Sequence, residues 1–225
     1  MTADAKKLVA TLLDLAEDRI RDGYRIERPQ YRFSEDSLES VSQEVASCEA
    51  CILARTRKNT VPGEGAKNPL VLVIGEGPGA DEDATGRPFV GKAGQLLDKM
   101  LAAVGLSRED NCFIANLVKC RPPGNRDPEP GEVSACSHFL ERQITLLKPK
   151  IILSVGRVPT QNLLGTTEGI GRLRGRFVDY QGIPLLPTYH PSALLRDETL
   201  KRPAWEDLKL LKSRLDENPA AGTAP

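Results

Sequence analysis

The 225-residue chain is poor in features that would assign it to a membrane, to the cell exterior or to nucleic acid by bulk charge. No apolar run approaches the roughly 20 residues of a bilayer-spanning helix. Met1–Ala5 is polar and the stretch to Ile20 mixes charges with leucines, so no secretory leader is expected and the sequence reads as cytoplasmic. Lys plus Arg and Asp plus Glu number 31 each, for a net charge of zero. A neutral total gives no sign of a nucleic-acid partner, yet leaves room for a local basic face. Only two histidines occur. The five cysteines, in a reducing compartment, are metal ligands or buried thiols rather than disulfides.

The segment 1–45 reads as an N-terminal helical extension. Leu8, Leu12, Leu15 and Ala16 predict an amphipathic helix over Ala5–Arg21, and Asp36–Ala46 is a second short helical pattern. Residues 46–216 form the expected domain, and 217–225 a disordered tail. Within the domain, strands are predicted at Leu70–Gly75, Phe113–Val118, Ile151–Val155, Arg176–Tyr180 and Ile183–Pro187. Helices are predicted at Gly94–Val104, Pro130–Leu147, Val158–Leu164 and Glu206–Leu215. The alternation implies an α/β fold, a three-layer α/β/α sandwich around a central parallel sheet. Ligands of such sheets bind beyond the carboxyl ends of the strands. The unusual residues fall there: Gly75–Gly79, Asn116–Cys120 and His190–Ser192.

Four cysteines form a frame: Cys48-x-x-Cys51, Cys120 and Cys136. Cys120 and Cys136 flank a loop with four prolines, which cannot pair its backbone regularly and needs another anchor. Four thiolates suit either tetrahedral zinc or an iron–sulfur cluster, and spacing does not separate them. Cys112 reads as a buried free thiol. The run Gly75-Glu76-Gly77-Pro78-Gly79 is neither a P-loop nor a dinucleotide fingerprint. Further on, Phe89 sits amid glycines, on a loop expected to be mobile, where its ring could stack on a base.

Together, Gly75–Gly79, the run Gly86-Arg87-Pro88-Phe89-Val90-Gly91-Lys92-Ala93-Gly94, Asn116–Arg126 and His190-Pro191-Ser192-Ala193 resemble the family 4 uracil-DNA glycosylases. The cysteine frame matches as well, and the likeness spans roughly residues 46–215. The resemblance implies the uracil-DNA glycosylase-like sandwich and a [4Fe–4S] cluster on Cys48, Cys51, Cys120 and Cys136. It implies hydrolysis of the bond joining uracil to DNA, releasing free uracil and leaving an abasic site. It also implies no membrane partner, and a monomer is expected.

In the family, the residue matching Phe89 stacks on the flipped uracil and the one matching Asn116 reads its edge. The chemistry agrees: an amide accepts from uracil N3–H and donates to O4, whereas cytosine reverses both groups. His190 is expected to donate a hydrogen bond to the leaving uracil as its charge grows. Glu76 is expected to place water or to stabilise a positive sugar. Gly77 allows close backbone approach, Glu82 is expected to stand against the thymine methyl, and Ser192 is expected on a DNA phosphate. Leu194 or Leu195 is expected to fill the space of the extruded base. Basic candidates for the DNA backbone are Arg55, Arg57, Lys58, Lys119, Arg121, Arg126, Arg172, Arg174 and Arg176. Two other readings compete. One is a covalent uracil-DNA-trapping relative, which needs a histidine that Gly169–Arg176 lacks. The other is a metal-stabilised nucleic-acid-binding module without activity.

Overall fold

The computed structural model of the protein describes residues 36–217, so the helix expected over Ala5–Arg21 and the tail from residue 218 lie outside the described residues. In chain order the elements are α1 (Leu38–Ser47), β1 (Glu64–Gly65), β2 (Val71–Gly75), α2 (Ala80–Thr85), α3 (Lys92–Ala102), β3 (Cys112–Asn116) and α4 (Pro130–Leu147). They continue with β4 (Ile151–Val155), α5 (Arg157–Leu164), α6 (Ile170–Leu173), β5 (Val178–Tyr180), β6 (Ile183–Thr188), α7 (Pro191–Arg196) and α8 (Lys201–Glu217).

The six strands form one sheet in the order β1-β3-β2-β4-β6-β5. The inner four are parallel, as the alternation implied. Both edges are antiparallel, which makes the sheet mixed. A tight turn closes the β5–β6 edge: Gln181 and Gly182 take φ of 54° and 86°, the left-handed pair of a two-residue hairpin. The two-residue β1 carries no periodicity and was not foreseen.

Strands β2, β3 and β4 are buried along their whole length. Alternate side chains face opposite ways. Val71, Val73, Ile114 and Leu153 pack with Leu97 and Leu101 of α3 and Leu208 of α8. Leu72, Ile74, Phe113 and Ile152 pack with Leu140 and Ile144 of α4 and Val158 of α5. These two apolar layers make the three-layer α/β/α arrangement. Cys112 is fully buried in β3, and burial pushes its thiol up to about 12, so it is an inert core residue.

The compact unit that carries the sheet begins at Ser37. The helix that the sequence assigned to the extension, α1, therefore packs with the domain. Val41 and Val45 are buried with Leu53, Val118, Cys136 and Phe139. The Ser37 hydroxyl caps α1 by accepting from Ser40 N–H at 3.0 Å. Helices α2, α6 and α7, of four to six residues, are too short for a periodic pattern to reveal. No helix of the described residues is long and apolar enough to cross a membrane.

Candidate active site

The carboxyl ends of β2, β3, β4 and β6 open into one cleft of about 630 Å³. Its lining includes every catalytic and substrate-binding residue singled out by sequence: Glu76, Gly77, Glu82, Phe89, Asn116, His190 and Ser192. Gly75, the last residue of β2, pairs in register with Asn116, the last residue of β3. A Cβ at Gly75 would lie 2.4 Å from Asn116 Oδ1 and 2.6 Å from Phe89 Cζ. The glycine is therefore what lets the amide and the ring meet over the strand ends.

Asn116 is 1 % exposed, and its Oδ1 is the one buried side-chain nitrogen or oxygen without a hydrogen-bond partner among the described residues. Leaving a buried acceptor unpaired costs about 1–3 kcal/mol. A ligand with an N–H in the right place would recover that cost. Phe89 is 6 % exposed and lies with its ring 5.6 Å from that of His190, tilted by 33°. Its φ is 52°. A bulky residue in that region stores of order 1–3 kcal/mol of strain and persists only where its surroundings over-determine it.

The Glu82 carboxylate meets that requirement on one side. Oε1 accepts from Val90 N–H at 2.8 Å and Gly91 N–H at 2.9 Å, and Oε2 accepts from Gly79 N–H at 3.0 Å. The loop expected to be mobile is thus pinned, and Glu82 is occupied as a staple between Gly79 and the residues after Phe89.

His190 caps α7. Its Nδ1 accepts from Ser192 N–H at 3.1 Å and lies 2.8 Å from Ser192 Oγ. Accepting at Nδ1 leaves the proton of the neutral ring on Nε2. Burial, reinforced by Arg196, pushes the His190 pKa down to about 4 against the opposing charge of Glu82. At neutral pH the ring is an uncharged Nε2–H donor. The Ser192 hydroxyl, expected on a DNA phosphate, lies against His190 Nδ1 in the protein alone.

Glu76 follows β2 directly. Burial, and then the nearby Asp127 carboxylate, push its pKa up to about 7 against the Arg157 guanidinium. Arg157 forms an ion pair with Asp127. A pKa raised above the ordinary 4.5 means that the folded protein holds this proton more tightly than the unfolded chain. The stability it gives is complete below pH 4.5 and is lost as pH rises through about 7. Glu76→Gln is therefore expected to melt above wild type at about pH 8 and level with it at about pH 4. Thermal unfolding across that window checks the sign; a variant that melts lower at alkaline pH would contradict it.

The two leucines separate cleanly. Leu194 is 2 % exposed and Leu195 49 %. Leu194→Ala is expected to cost about 2–5 kcal/mol of stability by opening a cavity. Leu195→Ala should change stability by no more than about 0.5 kcal/mol. Thermal unfolding of the two variants side by side checks the difference.

Several basic candidates are committed elsewhere. Lys119 is 1 % exposed and donates to Gln143 Oε1 at 2.6 Å and Asn116 O at 3.0 Å. Arg174 pairs with the buried Asp207, and Arg126 with Glu132. Arg57 donates to Cys48 O at 2.7 Å and Cys120 Sγ at 3.3 Å. Arg55, Lys58, Arg172 and Arg176 remain exposed.

The four cysteines of the frame line one apolar cavity with Val45, Leu53 and Phe139. Besides Arg57 on Cys120, the backbone N–H of Lys119 donates to Cys136 Sγ at 3.3 Å. Among the described residues no group of three or more His, Cys, Asp or Glu side chains is placed to hold a metal ion.

Residues 62–209 match the family described as the uracil DNA glycosylase superfamily, the class that this sheet and its cleft define. The type-4 uracil-DNA glycosylase of Saccharolobus solfataricus is 45 % identical over 82 % of this chain and 89 % of its own length. That of Thermotoga maritima is 44 % identical over 80 % of this chain and 95 % of its own length. A type-5 uracil-DNA glycosylase of Pyrobaculum aerophilum is 34 % identical over 60 % of this chain and 66 % of its own length. The chain belongs to the uracil DNA glycosylase superfamily, in its type-4 branch.

Proposed function

We propose that the protein is a DNA repair enzyme of the cytoplasm, acting as a monomer. It hydrolyses the N-glycosidic bond of uracil in DNA and releases free uracil, leaving an abasic site. The observation that carries this reading is the unpaired, buried Oδ1 of Asn116 beside the Phe89 ring. An extruded uracil stacked on that ring offers N3–H to the orphaned acceptor, while the Asn116 amide N–H donates to O4. Cytosine offers neither complement, and a closed pocket penalises each mismatch.

As the bond to the sugar breaks, negative charge gathers on the uracil. The neutral His190 Nε2–H stabilises it as a hydrogen-bond donor. The Glu76 carboxylate faces the electron-poor sugar or orients the attacking water. Since the free enzyme holds the Glu76 proton up to about pH 7, kcat/KM is expected to fall about tenfold per unit below that pH.

Cys48, Cys51, Cys120 and Cys136 would hold a [4Fe–4S] cluster. Four cysteines lining one shared cavity, with N–H donors to Cys120 and Cys136, suit thiolate ligands, and the type-4 relatives favour iron–sulfur over zinc. When bound, the cluster would cross-link the α1 end, the segment after β3 and α4. Purified protein is expected to carry iron and acid-labile sulfide in equal amounts, about four of each per chain. Zinc without sulfide would refute that assignment.

The test of function is a labelled oligonucleotide with one uracil, half of it treated with alkali. Strand breakage only after alkali is expected. Intact, unshifted DNA would favour the binding module, and a protein-shifted band the covalent relative.

A further inference from the structure

Arg108, in the turn leading into β3, has no motif around it, yet its guanidinium is 9 % exposed and fully engaged. Nη1 donates to Pro88 O at 2.9 Å and Nη2 to Phe89 O at 3.0 Å. The same group is gripped by two carboxylates. Asp98 Oδ1 lies 2.7 Å from Nη2 and 3.1 Å from Nε, and Glu64 Oε1 lies 2.5 Å from Nη1. Glu64 is held in turn by Arg87 at 2.8 and 2.9 Å. Gly94 is needed for this approach, since a Cβ there would lie 1.9 Å from Phe89 O.

Phe89, with its left-handed φ of 52°, therefore sits between two opposite clamps. Arg108 holds the carbonyls of residues 88 and 89, and Glu82 holds the N–H groups of residues 90 and 91. A left-handed phenylalanine would otherwise relax and carry its ring away from Asn116.

We propose that Arg108 is a positioning residue for catalysis: it fixes the Phe89 backbone so that the ring is presented to the extruded base. This rests on Phe89 being the base platform. The fork geometry matters. Two adjacent carbonyls and two carboxylates call for donors spread over a plane, whereas a lysine offers three from one point.

The test is a double-mutant cycle on single-turnover uracil release, with wild type, Arg108→Lys, Phe89→Ala and the double variant. Arg108→Lys is expected to slow release by about 30-fold or more, the scale of a misplaced reacting group. The same change in the Phe89→Ala background should cost less than about threefold, because the ring it positions is gone. A general loss of structure would slow both backgrounds alike. Equal losses in the two backgrounds, or an Arg108→Lys rate within about threefold of wild type, would overturn the proposal. Should Arg108→Lys fail to fold, Asp98→Ala loosens the guanidinium without touching Phe89, and a smaller loss confined to the Phe89 background is expected. If the wild type releases no uracil, the reading of the site fails on its own. The clamp is then judged by a crystal structure of the variant, where an unmoved Phe89 would overturn it and a relaxed φ would support it.

Discussion

Asn116→Ala is expected to lower single-turnover uracil release by about 10³-fold or more while leaving the melting temperature level or higher. The two halves of that expectation come from one observation. Oδ1 of Asn116 is buried without a partner, so the folded protein bears a desolvation cost that alanine removes. In the proposed reading the same atom is the acceptor for uracil N3–H, so the variant is expected to lose its means of distinguishing the base. A packing residue would behave the other way, with stability lost and rate changed in proportion to unfolding. Uracil release under single turnover, read beside thermal unfolding, separates the cases. A variant that melts well below wild type and still releases uracil at a normal rate would end the assignment of Asn116 as the base reader.

His190→Ala is expected to slow release by about 10²–10³-fold, the scale for removing one donor aimed at developing negative charge. The hydrogen bond from Ser192 N–H occupies Nδ1 at 3.1 Å, which commits the proton to Nε2. With its pKa pushed down to about 4, the ring stays neutral over the working range and transfers no proton of its own. His190→Gln, which keeps an N–H donor, should recover part of the loss. The pH profile gives a second check. The limb expected near pH 7 is assigned to Glu76, whose pKa is pushed up to about 7, and should disappear in Glu76→Gln, leaving a flat profile from about pH 5 upwards. A limb that survives Glu76→Gln and vanishes with His190 would reassign the proton to the imidazole.

Much of the site was legible because it lies at strand ends, and strand ends are visible in sequence. The apolar runs closing at Gly75 and before Asn116, and the His-Pro pair after the last strand, put Asn116 and His190 at strand ends, while Phe89 is singled out by the family resemblance. The cleft gathers them as expected. What could not be read is partnership across the fold. Nothing local marks Arg108 or Arg157, since each acts on groups that meet only in three dimensions, such as Pro88 O or Asp127. Lys119 looked like a DNA contact by charge, and only burial shows that it faces inward to Asn116 O and Gln143. Glu82 and Ser192 line the cleft, and their polar atoms are taken by Gly79, Val90 and Gly91 in one case and by His190 in the other. Edge strand β1 left no trace because two residues cannot display a period.

The order in which the cavity and the cleft draw on the chain bears on how the protein is made. All four cavity cysteines precede residue 137, and the helices that surround them, α1 and α4, are complete before β4 begins. The cleft, in contrast, waits for Gly156 and Arg157 beyond β4 and for His190 beyond β6. A chain emerging from the ribosome therefore displays its full set of thiols well before His190 is made. Domains tend to mature in the direction of synthesis. Here that direction would deliver the cysteine-lined cavity first and complete the cleft last.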